Sequence, residues 1–344
     1  MKNIVYFLGA GFSAPAGLPI ISNFMFKARD QHSSSPETFT HFKDVFHYID
    51  SLSKTKNFIN VDLFNIEEIF SISDIHGLLG QDRKELLEKF IKDVIKYHTP
   101  NFSCNDRFSL GQSIETLFSA NEVNRYYVSF VAALLFIIFR YKDTAIPPNE
   151  YSIFAETSPE MEVDYKVITL NYDTIIEDII TFLKNNFGAS CDLPIAKLHG
   201  SVDTTIVPPT WNKKLIGDIE KSWREAAEWL SKATEIRILG YSLPSTDIYI
   251  KHLLATALVE SENLQFINVV CRDSDGSVKQ RYDELFCFPK YYFYNEDVLI
   301  YLRHFSGRGS SSPPFQTNLF DPEERHNLFL SQVGASYFRS YKGI

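Results

Sequence analysis

Short apolar stretches recur along the chain, and most are bounded by glycine or polar residues. Those rich in β-branched and aromatic residues are short enough to be buried strands, and they span residues 4–8, 165–170, 196–198, 236–239, 266–270 and 291–293. Between these stretches, apolar residues recur at the spacing of an α-helix, as in residues 217–233. Nearly all-apolar strands that alternate with helices predict a parallel sheet covered on both faces, an α/β fold of the Rossmann-like, doubly wound type.

The region between the first two strands has a different pattern. Residues 31–159 carry apolar positions at helical spacing, and Ile66, Ile69 and Phe70 share one helix face. The apolar run 126–139 is expected to be a buried helix, because it falls short of the about 18 residues needed to span a bilayer. The pattern predicts a large helical insertion.

These patterns divide the chain into three parts. Residues 1–30 and 160–305 are expected to form the sheet domain, and residues 31–159 the helical insertion. Residues 306–314 are rich in Gly, Ser and Pro, a composition typical of linkers. We therefore expect residues 306–344 to be a linker followed by a C-terminal interaction segment.

A glycine-rich turn follows the first strand. Gly9 and Gly11 permit a sharp turn and close approach of a ligand, and Pro15 suits the first turn of a helix. Unpaired N–H groups at such a turn would bind a phosphate, with Ser13 as a further donor. A purely structural tight turn, with Ser13 as a helix cap, is the alternative.

Polar residues also follow the later strands. Asn171 and Asp173 come after the second strand, His199 after the third and Ser242 after the fourth, while Asn268 lies on the fifth. The carboxyl ends of parallel strands meet at one edge of a sheet, where ligands bind in folds of this type. We therefore expect these side chains to line one site.

Each of these residues also has a structural alternative. Asn171 and Asp173 are both placed to cap the following helix, and a lone histidine such as His199 is often a buried structural residue. Glu67 and Glu68 lie on an amphipathic helix of the insertion, where charges are typical of a solvent-facing side. A role in the site is the less favoured interpretation for these two carboxylates.

Composition narrows the classes of partner. The chain has 344 residues and a formal net charge of −9, which argues against a broad nucleic-acid footprint or an anionic membrane surface. Its four cysteines, at positions 104, 191, 271 and 287, lack the close spacing of a zinc site or disulfide framework. We expect a cytoplasmic protein with no signal peptide and no metal.

Four motifs together resemble the sirtuin family, and more closely its sirtuin-like NAD-hydrolase branch in bacterial anti-phage defence. Residues 9–19 resemble the sirtuin loop over the cofactor phosphates and nicotinamide ribose, and residues 169–173 the Thr-Gln-Asn-Ile-Asp motif. Residues 197–201 resemble the catalytic-histidine motif, and residues 240–243 the adenosine-side turn. The resemblance implies a sirtuin-like fold and an enzyme whose substrate is NAD.

Site roles follow from this resemblance and from side-chain chemistry. Asn171 can hold a water or a ribose hydroxyl in one orientation, His199 can accept a proton near neutral pH, and Asp173 would orient Asn171 or act on the ribose electrostatically. These three are the expected catalytic residues. The residues expected to bind NAD are Gly9, Ala10, Gly11, Ser13, Gly240, Ser242 and Asn268.

Two departures from sirtuin deacylases matter. The chain has no Cys-x-x-Cys pair for the zinc module of those enzymes, and residues 20–24 replace the Asp-Phe-Arg that follows the first motif in them. The resemblance therefore implies hydrolysis of NAD to nicotinamide and ADP-ribose. An NAD-dependent protein deacylase and a non-catalytic sensor of NAD or ADP-ribose are the alternatives.

The branch also implies regulation, because an ungated NADase would poison its own cell. By resemblance we expect a homo-oligomer or a separately encoded partner, a HerA-type ATPase or a short Argonaute, to control activity. NAD depletion would then act as abortive infection against phage. No sequence-specific nucleic-acid binding by this chain itself is expected.

Overall fold

The structure is a computed structural model that describes most of the chain, with several gaps. The described residues are 1–54, 62–80, 82–104, 115–144, 150–157, 162–190, 192–207, 217–259, 261–306, 317–319 and 321–340. Cys191 and nearly all of the predicted linker at 306–314 lie outside them.

The strands of the described residues form two sheets. They are β1 (Lys2–Leu8), β2 (Ile137–Thr144), β3 (Glu150–Thr157), β4 (Val163–Thr169), β5 (Ile195–Lys197), β6 (Glu235–Leu239), β7 (Phe266–Val270), β8 (Tyr291–Tyr294) and β9 (Thr317–Leu319). The larger sheet is parallel, with order β5-β4-β1-β6-β7-β8. This order reverses between β1 and β6, as in doubly wound Rossmann sheets. The six predicted strands are its members, so the predicted fold class is confirmed.

Register brings the strand ends level with one another. Leu8 pairs with Thr169 on one side and with Leu239 on the other, and Thr169 pairs with Lys197. We call this end of the sheet, where β1, β4, β5 and β6 finish, the carboxyl edge. Asn171 and His199 each lie two residues beyond the paired Thr169 and Lys197, so both leave the sheet at the same level.

Two apolar layers cover the sheet. Ile4, Tyr6 and Leu8 of β1 face one layer, and Val5 and Phe7 face the other, as the period of two along a strand requires. All five side chains are buried. Burial on both faces explains why these strands are unbroken apolar runs.

The helices of the described residues surround the sheet. They are α1 (Ala10–Ser13), α2 (Phe24–Ser34), α3 (Phe42–Ser53), α4 (Ile66–Leu78), α5 (Lys84–His98), α6 (Glu115–Phe118), α7 (Glu122–Leu134), α8 (Ile175–Phe187), α9 (Asp218–Ser231), α10 (Ile248–Val259), α11 (Ser277–Leu285), α12 (Val298–Arg303) and α13 (Pro322–Ser340). Buried side chains of α2 to α8 belong to the same apolar layer as Tyr6. The insertion therefore shares a continuous core with the sheet domain.

The expectation of one helix over 126–139 is wrong. Helix α7 ends at Leu134, Phe136 takes a left-handed φ of 53°, and β2 begins at Ile137. The β-branched and aromatic residues from 137 onward favour a strand, and β2 pairs with both β3 and β9. The insertion is consequently helical up to α7 and ends in a β-hairpin.

The C-terminal helix α13 packs on the sheet domain. Phe329 is fully buried, and its ring lies 5.0 Å from that of Tyr301 in α12. Strand β9, which precedes α13, adds a third strand to the hairpin of the insertion. The described part of the C-terminal segment is thus integrated into the core, and its role in interaction stays a prediction.

A buried polar group anchors α13 beneath the sheet. Arg237 of β6 donates to Glu235 (2.8 Å), to the Tyr6 hydroxyl (2.8 Å) and to Glu323 of α13 (2.7 Å). His326 of α13 lies 3.1 Å from Glu235, and burial together with Arg237 lowers the pKa of His326 to about 4. These five residues, which we call the Arg237 cluster, join β1, β6 and α13.

Candidate active site

The glycine turn after β1 interlocks with the turn after β6. The Gly9 N–H donates to Leu239 O (3.0 Å), Gly11 N–H donates to Gly240 O (2.8 Å) and Phe12 N–H donates to Gly9 O (2.8 Å). All three N–H groups are therefore paired within the protein, contrary to the expectation of unpaired N–H groups at this turn, and phosphate binding by the turn stays a prediction. The glycines permit contact between two backbones.

Gly240 shows most clearly why the interlock needs glycine. Its φ is +65°, and an added Cβ would lie 2.2 Å from the Phe12 nitrogen. We expect Gly240→Ala to lower the free energy of unfolding by more than the roughly 1–2 kcal/mol of a left-handed alanine, because the clash adds to that cost. Urea unfolding measures it.

Gly276 offers a matched control for Gly240. It has φ +80°, but an added Cβ would meet nothing within 4 Å. Gly276→Ala therefore carries the backbone cost without the clash. Equal losses of stability in the two variants would contradict an energetic role for the interlock.

Asn171 is fixed on the glycine turn by its amide. Its Nδ2 donates to the Gly9 carbonyl and to Ser13 Oγ, both at 3.0 Å. A carbonyl can only accept, so the nitrogen must face Gly9. Among the described residues, Oδ1 of Asn171 has no hydrogen-bond donor. The side chain thus presents an oriented acceptor for a hydroxyl or a water.

Ser13 and Asp173 lie close to Asn171. Ser13 is buried and accepts from Asn171, and its hydroxyl lowers the pKa of the Asp173 carboxyl. Asp173 also accepts from the N–H of Ile175 (3.2 Å), the first residue of α8, although Thr174 occupies the N-cap position of that helix. Burial raises the pKa of Asp173, and the charge of Lys197 partly offsets this. The structure brings Ser13, Asn171 and Asp173 together.

His199 lies beside this group, at the end of β5. It is buried, and its ring centroid is 6.2 Å from that of Tyr172, the residue after Asn171. Its carbonyl accepts from Val207 N–H (2.8 Å), and Gly200, with φ +79°, completes the turn. The imidazole is therefore held at the carboxyl edge, next to the segment that carries Asn171.

Ser242 lies on the opposite side of the glycine turn. Its carbonyl accepts from Nε (3.1 Å) and Nη2 (3.0 Å) of Arg281, and the buried Leu243 that follows has a left-handed φ of 50°. Tyr241 donates to Asp247 (2.8 Å). Ser242 is half-buried in a turn fixed from both sides, and Gly240 and exposed Ala10 lie on the same edge.

Asn268 is not brought to this edge. Its side chain is buried on β7, where Nδ2 donates to Glu235 (2.9 Å) and lies 3.4 Å from Nε2 of His326. The structure therefore places Asn268 against the Arg237 cluster rather than with the other predicted site residues.

The sequence predictions assign no role to three residues near the carboxyl edge, which are Lys197, Tyr127 and Arg281. Lys197 donates to the Asp173 carbonyl and to Glu177 (2.8 Å), and Tyr127 of α7 donates to the Phe12 carbonyl. Lys197 is a charged residue inside an apolar strand, which is a signal that sequence reasoning can use. Tyr127 lies within a long apolar run, and Arg281 on an ordinary polar helix face, so neither stands out.

A groove adjoins the candidate site without containing it. Its volume is about 480 Å³, and it lies between the end of α5 and helix α8. It touches the site segments through Thr174 and Val202, and none of the predicted site residues lines it. The geometry of the carboxyl edge, rather than this groove, defines the candidate site.

The described residues contain neither a metal-binding cluster nor a helix that could span a membrane. Within them, no group of three or more His, Cys, Asp or Glu side chains is arranged to hold a metal ion. None of the helices that the structure describes combines the length and the apolar character needed to cross a bilayer.

No protein-family model and no curated protein matches this chain. Similar solved structures include Sir2Tm bound to a propionylated peptide, with 14% identity, a TM-score of 0.41 and coverage of 90% of this chain and 94% of that one. Sir2 bound to acetylated peptide has 14% identity, a TM-score of 0.40 and the same coverage. The Sir2–p53 peptide–NAD+ complex has 14% identity, a TM-score of 0.37 and coverage of 87% and 90%. The chain is thus similar to sirtuin structures, at a distance that carries no argument about its reaction.

Proposed function

We propose that the chain hydrolyses the nicotinamide–ribose bond of NAD and releases nicotinamide and ADP-ribose. The observation that carries the proposal is the fixed amide of Asn171, whose Nδ2 binds Gly9 O and Ser13 Oγ while Oδ1 has no donor among the described residues. An acceptor held in this way can orient the attacking water or a ribose hydroxyl.

The chemistry suits the residues present. Nicotinamide in NAD is a cationic leaving group and departs neutral, taking the bonding electrons, so the bond breaks without an acid. The ribose becomes oxocarbenium-like, water adds to its anomeric carbon, and the proton of that water passes to His199. Ser13 and the Gly9 carbonyl hold Asn171 in place, and Asp173 would act on the ribose electrostatically. Gly9, Ala10, Gly11, Gly240 and Ser242 would border the bound nucleotide.

The proposal includes the division of the chain and its regulation. Residues 1–30 and 160–305 would form the catalytic domain, 31–159 an insertion and 306–344 an interaction segment. The enzyme would act in the cytoplasm as an NAD-depleting effector of anti-phage defence. Homo-oligomerisation, or a HerA-type ATPase or short Argonaute partner, would control the NADase activity. Only the sequence resemblance supports this part of the proposal.

Nicotinamide release by the purified full-length chain tests the proposal. We expect wild type to release nicotinamide and ADP-ribose, detected by chromatography across a range of protein concentrations that allows assembly. His199→Ala should lose at least about 100-fold of the rate, the usual effect of a general base. His252→Ala, an exposed histidine of α10, should retain the wild-type rate.

Two results would contradict the hydrolase. Formation of O-acetyl-ADP-ribose only with an acetylated peptide would establish a deacylase instead. Binding of NAD without nicotinamide release at any protein concentration, whether the chain is alone or mixed with the neighbouring gene product, would favour a sensor.

A further inference from the structure

Helix α7 of the insertion reaches the glycine turn through Tyr127. This side chain is fully buried, and its hydroxyl donates to the Phe12 carbonyl. The Phe12 ring stands edge-on to the Tyr127 ring, with the centroids 5.3 Å and the planes 84° apart, and it also lies 5.8 Å from the ring of Phe130. Helix α7 therefore holds Phe12 by both its backbone and its side chain.

The local sequence favours a donor from another segment at the Phe12 carbonyl. Helix α1 gives way to a 3₁₀ turn over Ala14–Ala16, and in such a turn a carbonyl accepts from the N–H three residues later. For Phe12 that residue is Pro15, which has no N–H. The Tyr127 hydroxyl supplies a donor there, from 115 residues away in the sequence.

The Phe12 carbonyl is one peptide unit from Ser13, and Ser13 contacts Asn171. A peptide unit is planar, so a fixed Phe12 carbonyl also fixes the nitrogen and the Cα of Ser13. The Ser13 hydroxyl oxygen accepts from Nδ2 of Asn171 at 3.0 Å. A continuous path of covalent and hydrogen bonds thus runs from α7 to the amide that the proposed reaction uses.

The start of the glycine turn does not depend on this contact. The N–H groups of Gly9 and Gly11 donate to carbonyls at the end of β6 and in the turn after it, which hold them without Tyr127. Loss of the Tyr127 hydroxyl would therefore free the end of the glycine turn, which carries Ser13, and leave its start in place.

We propose that Tyr127 is a positioning residue, whose hydroxyl holds Ser13 and thereby sets the orientation of the Asn171 amide. The inference rests on the proposed hydrolysis of NAD, and it gives the helical insertion a function in that reaction. A shift of about 1 Å in a positioned group can cost about 100-fold in rate, whereas contacts of the nucleotide with the start of the turn would be retained. Tyr127 therefore acts on the rate of the reaction more than on binding.

Tyr301 of α12 provides the matched control. It is also fully buried, and its hydroxyl lies 3.0 Å from that of Tyr6 and 3.1 Å from Nδ1 of His326. These partners belong to the Arg237 cluster and not to the glycine turn. Tyr127→Phe and Tyr301→Phe each delete one buried hydroxyl and keep the ring, so both variants lose a buried hydrogen bond and only the first changes the turn.

The experiment compares the two variants in the full chain, under conditions in which wild type releases nicotinamide. We expect Tyr127→Phe to lower kcat for nicotinamide release by about 10-fold to 100-fold, while its affinity for ADP-ribose, measured by calorimetry, changes only a few-fold. Tyr301→Phe should keep the wild-type kcat. A loss of kcat without a loss of affinity separates a positioning hydroxyl from one that only stabilises the fold.

A second comparison tests the route through Ser13. In a Ser13→Ala background the Asn171 amide has already lost this acceptor, so adding Tyr127→Phe should lower kcat little further. Residues that act on one group through a shared contact give such non-additive effects.

The outcomes separate this inference from the proposed function. Equal kcat in Tyr127→Phe and Tyr301→Phe, parallel losses of kcat and ADP-ribose affinity in Tyr127→Phe, or multiplied losses of kcat in the double variant would overturn the role of Tyr127 while leaving the hydrolase intact. Absence of nicotinamide release from wild type would instead remove the hydrolase itself, and the role of Tyr127 with it.

Discussion

Replacing Asn171 by alanine is expected to lower kcat for nicotinamide release by at least about 100-fold, the scale of losing one preorganised active-site group. The amide is bound to Gly9 O and Ser13 Oγ, and its removal deletes the oriented acceptor at the carboxyl edge. The affinity for ADP-ribose should change only a few-fold, because orienting a water or hydroxyl acts on the reaction more than on binding. Steady-state kinetics and calorimetry separate the two quantities.

Asn186→Ala is the control for this variant. Asn186 lies on α8, where its side chain donates to the Phe182 carbonyl (2.8 Å) and is exposed. The same chemical change at that position should leave kcat unaltered. Undiminished turnover in Asn171→Ala would show that the attacking water is placed by another group, and would remove the observation on which the proposed function depends.

The arrangement of Asn171 and His199 follows from the sequence because of strand chemistry. Parallel strands buried on both faces need unbroken apolar runs, and such runs are visible without a structure. β7 spans Phe266–Val270, the predicted residues. Once the strands are parallel and in register, residues just beyond their carboxyl ends must meet at one edge.

Other features depend on contacts between distant segments and leave little trace in the sequence. Asn268 has the expected residue type on a strand of the sheet, yet its partners Glu235 and His326 lie 33 and 58 residues away. Gly9 and Gly11 are typical of a phosphate-binding turn, but their N–H groups are taken by the turn after β6. Local pattern identifies the turn and cannot identify what occupies its donors.

The end of α7 illustrates a different difficulty. The apolar run 126–139 contains the buried helix up to Leu134 and the first residues of β2. Both elements are buried and apolar, so hydrophobic period alone does not separate them. The left-handed turn at Phe136, which ends the helix, occurs without a glycine and gives no signal.

Arg237→Met is expected to lower the free energy of unfolding by about 3–5 kcal/mol, the usual cost of breaking a buried ion pair. The guanidinium is 1% exposed and donates to Glu235, Tyr6 and Glu323. Methionine fills much of the volume, but it leaves the buried carboxylate of Glu235 without its main counter-charge. Urea unfolding followed by circular dichroism measures the loss.

Arg224→Met is the matched control, because Arg224 forms an exposed ion pair with Glu220 at 2.9 Å and such pairs contribute little to stability.

A second substitution tests whether the uncompensated charge of Glu235 causes the loss of stability. In Arg237→Met, adding Glu235→Gln removes the uncompensated charge and should restore part of the lost stability, whereas independent sites would give additive losses. Arg237 and Glu323 join β6 to α13, so the same variants also report how firmly the C-terminal helix is held. A loss in Arg237→Met no larger than that in Arg224→Met would mean that apolar packing around Phe329, and not the Arg237 cluster, anchors α13.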